Sequence, residues 1–258
     1  MTQPAESTTV SSGIVAVDAY LAEGFATVPG MSSRFAAAIS AGIMRIQTKL
    51  GVTGPIAEIG TFEGRFFIAL AKALAAGEIA LGVDIFDWPN PEVIDRFEAN
   101  CVKHGIPPTV ARTWKCDSRL VTPAELLERT GGHEVRLFHV DGEHSRASLE
   151  KDLALATAVL ADDGVIILDD MLHPGYPTLM VTVHEYLGRH PEMVVLCIID
   201  RETIVGATKF VLCRADWFES YQAELLRDYE KNVWPLGADF EPHWCLVLSL
   251  DTRLAAIT

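Results

Sequence analysis

The chain has 258 residues, of which 49% are hydrophobic and 22% are charged. This composition is typical of a soluble globular protein with a sizeable core. The formal net charge of −14 disfavours a nucleic-acid partner, because affinity for a phosphate backbone depends on clustered lysine and arginine. We therefore expect a small-molecule ligand.

The five cysteines are scattered along the chain and form no pair with zinc-site spacing, so we expect them to be reduced packing residues. The first residues lack the apolar segment of a signal peptide, and no apolar run near them is long enough to span a bilayer. These features predict a cytoplasmic protein without a membrane partner.

Residues 1–50 precede the first strong strand pattern. Residues 1 to about 12 are rich in Ser, Thr and Pro and are predicted to be disordered. Helical periodicity follows at residues 14–23 and 32–50. We expect these helices to form a lid or a dimer surface, so a homodimer is a possible assembly.

Residues 51–214 alternate between strand and helix patterns, which predicts an α/β fold with a mostly parallel sheet. Thr122, Pro123 and Glu125 predict a helix start with a capping box. The last two strands are joined by only about nine residues, which implies an antiparallel hairpin. The predicted strands are 55–59, 79–83, 112–115, 135–140, 165–168, 193–199 and 209–214, and the predicted helices are 65–76, 91–104, one from Thr122, 145–160 and 178–189, with a turn at 161–164.

Residues 215–258 contain an amphipathic helix pattern at 217–232 and an apolar run at 244–250. We expect this region to be an appendage to the domain at 51–214. No internal repeat or linker indicates a second independent domain.

An acidic and glycine-rich turn follows the first predicted strand. Glu58, Gly60 and Gly64 give the pattern acid-x-G-x-x-x-G, which lacks the G-x-G-x-x-G spacing of pyrophosphate-binding dehydrogenases. The second strand ends at Asp84 and the third is followed by Asp117. The glycines alone could serve the turn geometry, and either Asp could cap a helix or turn. Together, however, these acids share the carboxyl edge of the sheet, where open α/β folds bind ligands.

These residues resemble motif I and the following segments of class I methyltransferases. The resemblance implies a seven-stranded Rossmann-like sheet with a terminal antiparallel hairpin and helices on both faces. It also implies S-adenosylmethionine as methyl donor, with Glu58 near the methionine amine, Asp84 on the ribose and Asp117 on the adenine. The further contacts that we expect with the donor are Gly60, Thr61, Phe62, Gly64, Ser118 and Asp141.

The ends of the fourth and fifth strands are unusually acidic. Asp141 follows the fourth strand, and Asp169 and Asp170 follow the fifth. Adjacent strands lie about 4.8 Å apart, so three unpaired carboxylates there would repel one another. A hard divalent cation such as Mg²⁺ would remove that repulsion. We therefore expect Asp141, Asp169 and Asp170 to bind Mg²⁺ or another divalent cation.

The same arrangement resembles the metal-dependent small-molecule O-methyltransferases, both the catechol branch and the macrocin and novobiocin-type sugar branch. The resemblance covers residues 57 to about 176. The catechol branch typically has Asp-Asn where this chain has Asp169-Asp170, which favours the sugar or natural-product branch. The catechol branch also has Lys three positions after its first ligand, where this chain has His144.

Methyl transfer to a hydroxyl requires a base, and the candidates are His144 and Glu143. We prefer His144, because its ordinary pKa of about 6.5 suits the task better than that of a glutamate, about 4.3. Either residue could instead serve only the start of the following helix. His139 is expected to be a core histidine.

Residues on loops at the same edge could contact the acceptor. His173 is one candidate, and Phe86, Trp88 and Tyr176 could wall its pocket. Scattered aromatic residues more often pack against neighbouring elements, so these positions do not identify the acceptor.

The leading hypothesis is metal-assisted O-methylation of a hydroxylated small molecule such as a sugar, a phenol or another secondary metabolite. A second hypothesis keeps the methyl donor without the metal, as an N- or O-methyltransferase. A third is a non-enzymatic binding module on the same fold. A nicotinamide-dependent dehydrogenase is disfavoured by the glycine spacing.

Overall fold

The computed structural model describes residues 10–240 and 242–252. Within these two ranges, none of the helices is both long and apolar enough to cross a membrane. The tail predicted to be disordered, residues 1–12, lies outside the described residues except for its last three.

The described residues form a single mixed sheet of nine strands. The strands are β1 (Ile56–Ile59), β2 (Ala80–Asp84), β3 (Ala111–Lys115), β4 (Val135–Val140), β5 (Leu160–Met171), β6 (Met193–Ile199), β7 (Thr208–Arg214), β8 (Ala238–Phe240) and β9 (His243–Leu248). Their order across the sheet is β3-β2-β1-β4-β5-β7-β6-β9-β8. Strands β1 to β5 are parallel, and β7 runs antiparallel to both β5 and β6.

This topology confirms the α/β, Rossmann-like fold with a terminal antiparallel hairpin. The predicted number of seven strands is wrong for the described chain, which has nine. The apolar run near residue 244 forms β9, which pairs in parallel with β6 and carries β8 on its outer edge. Strand β9 pairs with residues 197–199 of β6 and so supplies backbone partners to that part of its edge.

Eight α-helices are described: α1 (Val15–Ala19), α2 (Arg34–Lys49), α3 (Arg65–Ala71), α4 (Val93–Lys103), α5 (Pro123–Arg129), α6 (Arg146–Val159), α7 (Pro177–Arg189) and α8 (Phe218–Tyr229). Helices α1, α2, α3, α4 and α8 contribute to the core on one face of the sheet, and α5, α6 and α7 to the core on the other. The predicted helices on both faces are confirmed, as is the capping box between Thr122 and Glu125.

The turn predicted at residues 161–164 is wrong, because these residues belong to β5. Leu160 pairs with Val135 at the start of β4, and a register shift follows before Leu137 pairs with Val165. Strand pairing with β4 therefore decides the conformation of a segment whose local sequence favours a turn.

A buried arginine connects α2 to the sheet. Arg136 on β4 forms an ion pair with Glu78 at 2.6 Å and donates to the carbonyl oxygen of Met44 at 3.1 Å. Gln47 donates to the Arg136 carbonyl oxygen at 2.6 Å. Twelve of the sixteen residues of α2 are buried, so this helix is an integral part of the packing. Whether residues 1–50 form a lid or a dimer surface stays a prediction.

We expect Glu78→Gln to lower the free energy of unfolding by about 3 kcal/mol, because it leaves the buried Arg136 charge without its partner. Urea denaturation followed by circular dichroism measures this change. Glu134→Gln, at an exposed position in the same region, is the control and should change stability by less than about 0.5 kcal/mol. Equal stability of the two variants would contradict the structural role of the ion pair.

Candidate active site

A cleft of about 540 Å³ lies at the carboxyl ends of the parallel strands. Most residues expected from the sequence line it, namely Glu58, Gly60, Thr61, Phe62, Asp84, Asp117, Ser118, Asp141, Glu143 and His144. Gly64 is not part of the wall; it is the N-cap of α3, with φ +91°, and packs against Phe97. Asp169 and Asp170 also lie outside the wall, next to Asp141.

Gly60 forms the turn between β1 and α3 beside the loop that follows β4. Its φ is +82°, and a Cβ atom at this position would lie 1.8 Å from the carbonyl oxygen of Asp141. Only glycine allows both this conformation and this close approach of two backbones. The two loops that meet here form the floor of the cleft.

The two acids assigned to the nucleoside differ in their surroundings. Asp84 accepts hydrogen bonds from the backbone N–H groups of Phe62, at 2.9 Å, and Phe86, at 2.8 Å. It therefore holds the loops after β1 and β2 together at the cleft. Asp117 forms an ion pair with Arg119 at 2.6 Å, and this hydrogen-bonded guanidinium lowers the pKa of Asp117.

The segment that precedes α2 closes one side of the cleft. Pro29 to Ser32 line its wall. Arg65 at the start of α3 donates to the carbonyl oxygen of Val28 at 2.6 Å and to that of Gly30, and its guanidinium lies over the Phe25 ring. Residues outside the parallel core therefore contribute to the ligand site, which the sequence patterns did not specify.

Asp169 and Asp170 form a β-bulge in β5. Leu168 pairs with Phe210 and Met171 with Thr208, so the two acids lie opposite a single residue, Lys209. Asp170 has a φ of +57°. Successive side chains of a regular strand point to opposite faces, whereas a bulge redirects them. Here the bulge brings both carboxylates to the region of Asp141.

Lys209 is a functional candidate that sequence reasoning missed. Its side chain is 1% exposed and forms an ion pair with Asp169. Its ammonium also donates to His139 Nε2 at 3.3 Å and lies 4.5 Å from the centroid of the Phe66 ring. The sequence signal for it was a lysine directly before the four apolar residues 210–213 of β7.

The buried chain continues from His139 to the cleft. His139 Nε2 lies 3.3 Å from the Lys209 ammonium, and His139 Nδ1 lies 3.2 Å from Glu58 Oε2. His139 also stacks on Phe66, with 4.4 Å between ring centroids. His139 is buried, as expected for a core histidine. Its contacts connect Asp169 with the cleft residue Glu58.

The charges in this cluster shift two pKa values in opposite directions. Burial would raise the pKa of Asp169, but the Lys209 ammonium and His139 hold it far below its usual value. Burial and the negative charge of Asp169 raise the pKa of Asp141 well above its usual value. Asp141 is thus the carboxylate whose charge the surrounding residues compensate least.

The donor atoms of this cluster suit a divalent cation. One set is His139, Asp141 and Asp169, and the other is Asp141, His144 and Asp170; within each set the ligand atoms lie within 4.8 Å of one another. Asp141 belongs to both sets, and a cation beside it would offset the repulsion that raises its pKa. The first set already contains the ammonium of Lys209 as a counter-charge.

His144 is held by one hydrogen bond and one ring contact. Its Nε2 lies 2.5 Å from Asp170 Oδ2, and its ring stacks on Tyr176 at 4.2 Å with an interplanar angle of 8°. The hydrogen bond to Asp170 raises the pKa of His144, against the opposing effect of burial. His173 stacks on the same tyrosine and does not line the cleft.

Glu143 is hydrogen-bonded to residues at the start of α6. Its carboxylate accepts hydrogen bonds from the hydroxyls of Ser145 and Ser148, and these bonds lower its pKa. A carboxylate stabilised in this way is a weaker base than an imidazole paired with a carboxylate. The geometry therefore favours His144 of the two candidates.

The aromatic residues expected around the pocket separate into two groups. Trp88 lines the cleft and packs on Phe62 at 5.4 Å, and Tyr176 contacts His144. Phe86 does not line the cleft; it is fully buried and packs on Phe97.

Residues 57–171 match the model of a family described as a methyltransferase domain. The structure of the O-methyltransferase TomG from Streptomyces achromogenes, in complex with SAM, is similar at 18% identity, with a TM-score of 0.55 over 78% of this chain and 89% of that one. The structure of the O-methyltransferase NovP is similar at 13% identity, with a TM-score of 0.56 over 70% and 80% of the two chains. An O-methyltransferase from Bacillus cereus in complex with SAH is similar at 16% identity, with a TM-score of 0.54 over 76% and 89%.

At these identities the solved structures show a shared fold alone. No curated protein sequence matches the chain. The family match shows a methyltransferase domain at residues 57–171, and the solved structures show that the chain shares its fold with O-methyltransferases. The resemblance expected from motif I is confirmed.

We expect Gly60→Ala to weaken binding of S-adenosylhomocysteine at least about 100-fold, because the added methyl group would force the β1 and β4 loops apart. Isothermal titration calorimetry measures the affinity. Gly77→Ala is the matched control, since Gly77 also has a positive φ, +89°, but has open space around its Cβ position. If the two variants bind equally well, Gly60 does not shape the ligand site.

Asp152 on α6 is 1% exposed, and burial raises its pKa to about 6. A raised pKa in the folded state adds stability at low pH that is lost as pH rises toward and through 6. We therefore expect Asp152→Asn, which does not titrate, to gain about 1 kcal/mol relative to the wild type between pH 5 and 7.5. Urea denaturation at both pH values measures this difference, and Asp87→Asn, at an exposed position, should show no such gain.

Proposed function

We propose that this methyltransferase transfers the methyl group of S-adenosylmethionine to a hydroxyl of a small molecule, with His144 as the base and a divalent cation beside Asp141. The observation that carries the proposal is the convergence of His144, Asp141 and Asp170 at one end of the cleft. The structural neighbours described as O-methyltransferases support oxygen as the methylated atom.

The methyl donor would bind across the carboxyl ends of β1, β2 and β3. Gly60, Thr61 and Phe62 allow close approach of the donor, and Asp84 would accept hydrogen bonds from the ribose hydroxyls. Asp117 and Ser118 would contact the adenine, with Glu58 near the methionine amine. TomG, which was solved in complex with SAM, supports this use of the fold.

The acceptor would bind near His144, beyond the end of β4. With Nε2–H donated to Asp170, His144 presents Nδ1 as its basic atom. His144 accepts the hydroxyl proton as the new O–CH₃ bond forms and the sulfur–CH₃ bond breaks. Asp170 stabilises the resulting imidazolium, and Tyr176 holds the plane of its ring.

A divalent cation would be surrounded by Asp141, Asp169 and Asp170. When bound, it would lower the pKa of an acceptor hydroxyl and fix the position of its oxygen. Mg²⁺ fits the carboxylate oxygens, and Mn²⁺ also accepts carboxylate ligands. The proposed acceptor is a hydroxylated sugar, a phenol or another secondary metabolite.

A second candidate is methyl transfer without a metal, to nitrogen or oxygen. The ion pair of Lys209 with Asp169 favours it, because the lysine already offsets part of the negative charge that a cation would neutralise. His144 and Asp170 would then act on the acceptor alone.

We expect the purified protein to release S-adenosylhomocysteine from S-adenosylmethionine only when a suitable acceptor is present. Liquid chromatography with mass spectrometry can follow the product across catechols, sugar nucleotides and glycosylated phenols, with Mg²⁺ and with EDTA. His144→Asn should lower the turnover rate by about 10²- to 10⁴-fold, the usual contribution of a general base. Its affinity for S-adenosylhomocysteine should stay within about threefold, because the base does not hold the donor.

His133→Asn, at an exposed position on the loop before β4, is the matched control and should keep full activity. Full activity of His144→Asn would exclude His144 as the base. A rate unchanged by EDTA would favour the metal-free candidate, and a product methylated on nitrogen would contradict O-methylation.

A further inference from the structure

Lys209 lies beside the acidic groups of the proposed cation site. Its ammonium is bonded to Asp169 Oδ2, and the other oxygen of Asp169 accepts the backbone N–H of Asp170 at 2.8 Å. Both oxygens of Asp169 therefore have partners within the protein. Asp141 and Asp170 differ, because neither forms an ion pair with a lysine or arginine among the residues that the structure describes.

We propose that Lys209 is a built-in counter-cation that holds Asp169, so that any divalent cation at this site is bound by Asp141 and Asp170 and not by Asp169. This inference refines the cation site proposed above. Binding of the cation by Asp169 Oδ2 would require that oxygen to leave Lys209, and a buried ammonium that loses its partner is strongly unfavourable. Binding by Oδ1 would bring the cation and the ammonium onto the same carboxylate, where the two positive charges would repel each other.

The surroundings of Lys209 fix it in this position. Its side chain is almost fully buried, the ring of Phe66 faces the ammonium, and the imidazole of His139 accepts one of its hydrogen bonds. A cation over an aromatic ring and between two hydrogen-bond acceptors is favoured over the same cation left unpaired. The bulge in β5 keeps Asp169 opposite Lys209 and turns Asp170 toward His144.

The adjacent acids Asp169 and Asp170 therefore have different roles. Asp169 contributes charge balance and packing below the cleft, whereas Asp170 contacts His144 at the cleft itself. His139 lies between Lys209 and Glu58. The ion pair of Lys209 with Asp169 therefore lies behind the expected site of the methionine amine.

The test is the binding of Mn²⁺ to the purified full chain at constant pH, measured by isothermal titration calorimetry. Lys209→Met should bind Mn²⁺ at least about tenfold more tightly than the wild type, because it frees Asp169 and removes a positive charge. The double variant Asp169→Asn/Lys209→Met removes both partners and should bind within about threefold of the wild type. Lys151→Met, at an exposed position on α6, is the control for a lost lysine charge.

Two results would overturn the inference. One is Mn²⁺ binding by Lys209→Met that is no tighter than in the wild type. The other is a loss of Mn²⁺ affinity in the double variant that is as large as the loss in Asp170→Asn, which changes one of the two proposed ligands. Binding by Lys209→Met with none by the wild type would support Lys209 as the counter-cation of Asp169, but it would overturn cation binding by Asp141 and Asp170 and so exclude the cation from the proposed function. If Lys209→Met does not fold, Lys209→Gln, which keeps a donor without the charge, provides the same comparison.

Discussion

Carboxylates that lie together at one edge of a parallel sheet need nearby positive charges if they are to stay ionised in a partly buried site. In this protein the ion pair between Lys209 and Asp169 meets that requirement below the cleft. It leaves Asp141 as the acid with least compensation, and Asp170 paired with His144. The different tasks of these acids follow from which positive group each one contacts.

The bulge in β5 makes this separation possible. A regular strand would place Asp169 and Asp170 on opposite faces of the sheet, so that only one of them could reach the cleft. With two residues opposite Lys209, both carboxylates lie close to Asp141. The bulge in the backbone of β5 therefore places both Asp169 and Asp170 near the same point, which a regular strand would not do.

The rest of the cleft depends on contacts between loops that are distant in sequence. Asp84 ties the loop after β1 to the loop after β2, and Gly60 allows the β1 and β4 loops to touch. Arg65 holds the segment before α2 against the wall. These contacts fix the shape in which a methyl donor and an acceptor would meet.

The order of strands and helices followed from apolar periodicity, because each element buries a continuous face, and the glycine and acid pattern at Glu58 to Gly64 indicated the ligand edge. Two kinds of information came only from the tertiary structure. The strand β9 depends on pairing with β6, which is far away in sequence, and the ion pair of Lys209 depends on the register between β7 and the bulge in β5. Local sequence specifies which residues prefer a strand, whereas the side chain that a given residue meets across the sheet is decided by long-range pairing.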